Sequence, residues 1–187
     1  MILLKIRDDE LAALEDDRRG NGFMDTGLMQ HLVCEKELTL DSTEARIVEG
    51  YTRILDQLHV FNFDQLFIPT NINNMHWTMI VVKMHWKEMH YYDSMSRVGT
   101  MYTNLVKACL VREMYLKKYQ ELNIWRVLTQ EANVPQQGTN GNECGVFTMM
   151  CADFLSDNLP MTYCLDEKDF FRRKIAADIL RRKLYYN

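Results

Sequence analysis

His76-Trp77-Thr78-Met79-Ile80-Val81-Val82-Lys83-Met84, then a short polar link, then Glu88-Met89-His90-Tyr91-Tyr92-Asp93, is the stretch on which the fold turns. The first run is rich in β-branched residues and reads as a strand; the second reads as another, and the short link predicts a hairpin. Working outward, Leu66-Phe67-Ile68-Pro69 reads as a short buried strand, and Ile124-Trp125-Arg126-Val127-Leu128 as a fourth. Before residue 64 the period is helical. Residues 8–17 carry Leu11 and Leu14 on one face, and Arg18-Arg19-Gly20-Asn21-Gly22 breaks that helix. Residues 23–38 place Leu28, Leu32 and Val33 at helical spacing. Ser42-Thr43-Glu44-Ala45 resembles a helix start, and Ile47, Ile54, Leu55 and Leu58 continue the stripe. Residues 102–122 return to helix, residues 145–157 form another, and residues 169–185 form a last amphipathic helix with Phe171, Ile175, Ile179 and Leu184 on or near one stripe. Helices, then strands, then helices predict an α+β fold, with residues 1–187 as one domain.

With 47% hydrophobic and 26% charged residues the composition is globular. A formal net charge of -4 argues against wholesale nucleic-acid binding. Arg172-Arg173-Lys174 and Arg181-Arg182-Lys183 are the candidates for a local basic patch, and the solvated face of an amphipathic helix is the preferred reading. No apolar run approaches the roughly 18 residues that a membrane span needs. The start, Met1-Ile2-Leu3-Leu4-Lys5-Ile6-Arg7, is too short and too soon charged for a signal peptide, so the chain reads as an excised soluble domain. The cysteines Cys34, Cys109, Cys144, Cys151 and Cys164 are odd in number and form no CxxC pair. That argues against a disulfide framework or zinc site and for a reducing compartment, nucleus or cytoplasm.

The chemistry gathers in Pro135-Gln136-Gln137-Gly138-Thr139-Asn140-Gly141-Asn142-Glu143-Cys144-Gly145-Val146-Phe147. Cys144 stands between a polar, glycine-containing loop and an apolar helix. A helix N-terminus favours a thiolate, which makes Cys144 the candidate nucleophile. Cys109, Cys151 and Cys164 lie in or beside apolar helical stretches and read as small buried residues. His76, where a loop over residues 71–74 enters a strand, is the candidate general base; His85 and His90 read as ordinary strand-edge histidines. Asp93 ends the next strand, so antiparallel pairing sets it beside His76, where a carboxylate can hold an imidazole tautomer. Its plainer reading is a turn-initiating Asp before Ser94. Gln137, seven residues before Cys144, can donate to a developing oxyanion, with Gln136 as its competitor and the Cys144 backbone N–H as a second donor. Gly138 and Gly141 let the loop turn tightly beside the sulfur.

In this order, His76-Trp77, Asp93-Ser94, Pro135-Gln136-Gln137, Asn140-Gly141 and Glu143-Cys144-Gly145 resemble the Ulp1/sentrin-specific protease family, the C48 cysteine proteases of clan CE. The likeness extends to Phe171-Arg172-Arg173-Lys174 and Leu180-Arg181-Arg182-Lys183-Leu184, which resemble the family's closing helix. It implies an α+β fold with a small mixed or antiparallel central sheet flanked by helices, the papain-like architecture of the adenain/Ulp1 type. It implies cleavage after the Gly-Gly tail of a ubiquitin-like modifier, by Cys144, His76, Asp93 and Gln137, with no cofactor or metal. The implied partner is SUMO and its conjugates, with ubiquitin or Nedd8 as alternatives and with neither nucleic acid nor membrane; the chain is expected to be a monomer. Substrate binding falls to Trp77, Phe23, Asp25, Thr26, Met75, Met95 and Gly141. Trp77 corresponds to a tryptophan roofing a tunnel thin enough for glycine alone, with core packing as its plainer reading, and Met95 to a residue lining the tunnel's exit.

Three departures bear on these expectations. The loop carries one extra residue between Gln137 and Asn140, a spacing that resembles the adenoviral protease branch of the clan. Glu143 stands for the family's Asp and keeps its charge. Phe23-Met24-Asp25-Thr26 stands for Trp-Leu-Asn-Asp: Phe23 keeps an aromatic surface, but Thr26 lacks the carboxylate that pairs with a SUMO arginine. That opens the alternative of a deubiquitinase or deneddylase, including a microbial effector acting in host cytosol. A clan-related acetyltransferase and a non-catalytic ubiquitin-like-binding module are the remaining readings.

Overall fold

The computed structural model describes residues 21–23, 59–118, 125–129, 131, 133–139 and 141–181. The helices expected over residues 8–17 and 42–58 lie outside them, as do His31, Cys34, Asp25, Thr26 and Asn140. Among the described residues five strands form one sheet in the spatial order β1 (Asn21–Phe23), β2 (Gln65–Ile72), β3 (His76–Lys83), β4 (Glu88–Tyr92) and β5 (Arg126–Leu128). The helices of the described residues are α1 (Thr100–Leu116), α2 (Cys144–Ser156) and α3 (Lys168–Arg181). The central strands β2, β3 and β4 are antiparallel, while β1 and β5 run parallel to their neighbours, so the sheet is mixed.

The predicted hairpin forms, with Met79 opposite Tyr92 and Lys83 opposite Glu88. The strand before it is longer than its sequence suggested. It runs through Pro69 to Ile72, because β1 reaches only as far as Phe67 and the rest of β2 is edge among the described residues, where a missing N–H is tolerated. The loop expected over residues 71–74 is therefore confined to residues 73–75. Met75 N–H closes it on Ile72 C=O at 3.0 Å, with Asn73 and Asn74 both left-handed at φ 53° and 57°. Asn adopts this conformation more readily than other non-glycine residues, and the tight turn leaves His76 at the sheet's rim. Phe23, read as the start of a helix, belongs instead to β1, paired parallel with β2. Three residues carry no period of their own, and the neighbouring strand sets their conformation.

Alternation along the strands builds two cores. Ile80, Val82, Met89 and Tyr91 pack with Val106, Leu110 and Met114 of α1. Phe67, Met79, Val81 and Tyr92 pack with Val134 and with Cys151 of α2. A strand buried on both faces reads as a continuous apolar run, which is why residues 79–82 show no polar alternation. Helix α3 lies on the outer side of α2, where Tyr163 meets Phe147, Phe154 and Phe171. A Cβ on Gly99 would overlap the Tyr91 ring, so glycine is required at the entry to α1. Ile80 is fully buried; Ile80→Ala is expected to cost about 2–5 kcal/mol, read as the shift in a urea unfolding curve.

Candidate active site

Helix α2 fixes where the cysteine lies. Near its C-terminal end, Gln65 Nε2 donates to Asn158 Oδ1 at 3.4 Å, and Gln65 faces Lys83 at the far end of β3. At its N-terminal end, the Cβ position of Gly145 is 3.8 Å from Trp77 Cδ1, an ordinary van der Waals approach. The helix therefore runs along β3 and begins at the His76 end. Cys144 is its first residue, with its backbone N–H at the positive end of the helix dipole.

At that same rim the strand register brings His76 and Asp93 together, as antiparallel pairing predicted. His76 Nε2 lies 2.7 Å from Asp93 Oδ1, and both residues are buried. Asp93 Oδ1 also accepts Met95 N–H at 2.7 Å, so the carboxylate is anchored from two directions. Engagement of Nε2 holds the proton on that nitrogen and leaves Nδ1 as the ring's proton acceptor. The turn-initiating role weighed for Asp93 is present as well: Ser96 N–H donates to Asp93 C=O at 3.0 Å.

The loop before Cys144 separates the two glutamines. Gln136 is exposed and occupied: its Nε2 donates to Val134 C=O at 2.8 Å and its Oε1 accepts Ser96 Oγ–H at 2.9 Å. Gln137 is fully buried. Its backbone N–H donates to Ser94 C=O at 3.0 Å and its Oε1 accepts Ser94 Oγ–H at 3.0 Å, while its Nε2 has no partner among the described residues. An unpaired buried amide costs on the order of 1–3 kcal/mol, so a donor kept in that state is available for an incoming acceptor. Gly138 and Gly141 turn the loop at φ 72° and 63°, the left-handed region where a side chain is strained.

Glu143, just before the cysteine, is held by Arg172 of α3, whose Nη2 and Nε donate to Oε2 at 2.6 and 3.0 Å. Arg172 Nη2 also reaches Asn142 C=O at 3.3 Å. The basic run read as a solvated helix face is in part a clamp, since Lys174 likewise pairs with Asp153 and Asp178. A separation of 29 residues hid the Glu143–Arg172 contact from sequence reasoning, although two opposite charges flanking the motif were in view. The Ser94–Gln137 pair was missed for the same reason.

Among the substrate-binding candidates, Met75 is 78% exposed beside His76, Met95 is exposed beside Asp93, Trp77 is half-buried and Gly141 is exposed. Phe23 is placed by its backbone in β1, paired with Phe67, which in turn lies opposite Val81 and not at the His76 end of β3. Two readings of other residues change. Cys164 is exposed and caps the short turn Leu165–Glu167, its N–H bonded to Glu167 Oε2 at 3.0 Å. His90 is buried between two carboxylates, Nδ1 at 2.7 Å from Glu131 and Nε2 at 3.0 Å from Glu88, and is no ordinary strand-edge histidine. Cys109 and Cys151 are core residues; burial pushes the Cys109 thiol up to about 12 and the Cys151 thiol higher still.

Known proteins resemble this chain in sequence and fold. The chain is 27% identical to sentrin-specific protease 2 of Rattus norvegicus over 129 residues, 68% of this chain and 22% of that protein. It is 30% identical to ubiquitin-like-specific protease 1A of Arabidopsis thaliana over 129 residues, 67% of this chain and 25% of that protein. The chain thus spans about a quarter or less of the length of these two curated relatives. Its fold matches the C-terminal Ulp1 protease domain solved in complex with Smt3, the yeast ortholog of SUMO, with a TM-score of 0.68 over 90% of this chain and 71% of that one, at 21% identity. The model of the C-terminal catalytic domain of the Ulp1 proteases matches residues 6–184, and the chain belongs to that family of cysteine proteases.

Proposed function

We propose that this domain hydrolyses the bond after the C-terminal Gly-Gly of a ubiquitin-like modifier, SUMO foremost, acting as an isopeptidase and C-terminal hydrolase. The observation that carries the reading is the buried His76–Asp93 hydrogen bond at the rim of the sheet where Cys144 opens its helix. Relatives named as sentrin-specific and ubiquitin-like-specific proteases support the substrate class, as does the Smt3 complex of the matching fold. Free thiol chemistry suits a reducing compartment, nucleus or cytoplasm.

The reaction follows from the side chains. His76 Nδ1 takes the Cys144 thiol proton, and the sulfur attacks the carbonyl carbon of the terminal glycine. The carbonyl oxygen becomes an oxyanion, which accepts N–H groups from Gln137 Nε2 and the Cys144 backbone. Collapse breaks the C–N bond, and His76 gives its proton to the departing lysine amine. Water then attacks the thioester, His76 takes the water's proton and returns it to the leaving sulfur, and the modifier departs as its carboxylate. Asp93 holds the ring in place and stabilises the imidazolium between these transfers. Gln137→Ala is expected to lower kcat by roughly 10²–10³-fold, while Gln136→Ala acts mainly on loop order and costs less. Steady-state rates of the two variants check this, and the opposite ranking moves the oxyanion role to Gln136.

The test of the function is a parallel reaction with SUMO, ubiquitin and Nedd8 probes carrying a C-terminal electrophile. A Cys144-dependent adduct with SUMO is the expected result. An adduct confined to ubiquitin or Nedd8, which the absence of a carboxylate at Thr26 favours, keeps the chemistry and changes the modifier. Tight binding without any adduct overturns the hydrolase reading in favour of a binding module.

A further inference from the structure

We propose that Ser94 is a positioning residue for the oxyanion donor: its hydroxyl donates to Gln137 Oε1 and so aims the Gln137 Nε2 N–H groups at the reacting carbonyl. This rests on the hydrolase reading above. Two hydrogen bonds close a ring between the same pair of buried residues, Gln137 N–H to Ser94 C=O and Ser94 Oγ–H to Gln137 Oε1, each 3.0 Å. The backbone bond fixes where the glutamine leaves the chain. The side-chain bond fixes the rotation of its amide.

That rotation matters because an amide has two faces of opposite sign. Turned one way, Gln137 presents N–H groups to a developing negative oxygen; turned the other, it presents carbonyl lone pairs and repels that oxygen. Oε1 is occupied by Ser94, whereas Nε2 is buried with no partner among the described residues. The half of the amide that catalysis needs is thus the half left open. A hydrogen bond accepted at Oε1 also polarises the amide and strengthens its N–H groups as donors. Gln136 offers no substitute, since its own Nε2 is spent on Val134 C=O.

The measurement is a double-mutant cycle in kcat and KM with fluorogenic C-terminal amides of SUMO, ubiquitin and Nedd8, using whichever the wild type turns over. Ser94→Ala is expected to lower kcat roughly 10- to 100-fold, the scale on which misplacing a reacting group acts, with KM little changed. Ser94→Thr keeps the hydroxyl and is expected to recover most of the rate. In a Gln137→Ala background, Ser94→Ala is expected to cost nothing further, because its only route to the reaction has been removed. A Ser94→Ala enzyme with the wild-type kcat, or losses that multiply in the double variant, overturns the assignment while leaving the hydrolase reading intact. A loss in KM alone also overturns it, by making Ser94 a binding group. A wild type inert on all three amides removes the hydrolase reading and the positioning role with it.

Discussion

Cys144→Ala is expected to yield a folded domain that forms no adduct with any C-terminal electrophile and hydrolyses none of the modifiers. If Cys144 is the nucleophile, as proposed, its removal costs on the order of 10⁶-fold in kcat, a loss to background. The fold should survive. Position 144 is the first residue of α2, alanine is the best helix former, and only one sulfur atom leaves a site that is 6% exposed at the rim of the core. Modifier binding is expected to persist or tighten, because the residues proposed to hold the tail are unchanged. Intact-mass analysis of probe adducts, circular dichroism and calorimetric titration separate these expectations. Among the described residues the competing thiol is Cys164, which is exposed. Adduct formation that persists in Cys144→Ala and disappears in Cys164→Ala would place the reactive sulfur outside the site. An unfolded Cys144→Ala chain would mark the residue as structural.

Replacing the carboxylate beside His76 has the second largest expected effect. Asp93→Ala removes the acceptor for both His76 Nε2 and Met95 N–H, so the ring loses its tautomer, its orientation and the charge that balances the imidazolium. A loss on the order of 10³–10⁴-fold in kcat is expected. Asp93→Asn is expected to fall between this and wild type. Met95 N–H demands an acceptor at the Oδ1 position, which holds an asparagine carbonyl there and keeps it facing His76. What asparagine gives up is the negative charge. The gap between the two variants therefore measures orientation against electrostatics. A wild-type rate for Asp93→Ala would refute the role assigned to the carboxylate.

Much of this geometry was legible in the sequence, for reasons that differ by element. The pair β3 and β4 announced itself because apolar and β-branched residues fill a strand-length run on either side of a short link. Antiparallel pairing then dictated that His76 and Asp93 meet, without any knowledge of the helices. Cys144 was placed at a helix start by the contrast between glycine-rich loop and apolar stretch, and α2 does begin there. The reading failed where conformation is set by distant partners. Strand β1 exists because β2 lies beside it, and nothing local distinguishes Asn21–Phe23 from a turn. Pro69 signalled an end that edge pairing overrode. His90 faces Glu131, 41 residues away, and Ser94 faces Gln137, 43 residues away; short polar side chains carry no period that would reveal such contacts.

Asp93 and Ser94 are consecutive just beyond the end of β4, and each grips one side chain: Asp93 the imidazole, Ser94 the glutamine in the loop that leads to the sulfur. The consequence concerns noise. Thermal breathing of a sheet end displaces both gripping groups in the same direction at the same moment. The imidazole and the amide are then expected to drift together, so that their separation varies less than either position does. Had the two grips come from unrelated loops, their excursions would add as independent errors. A single peptide bond turns them into a common-mode signal, as two lenses bolted to one rail stay aligned when the table shakes.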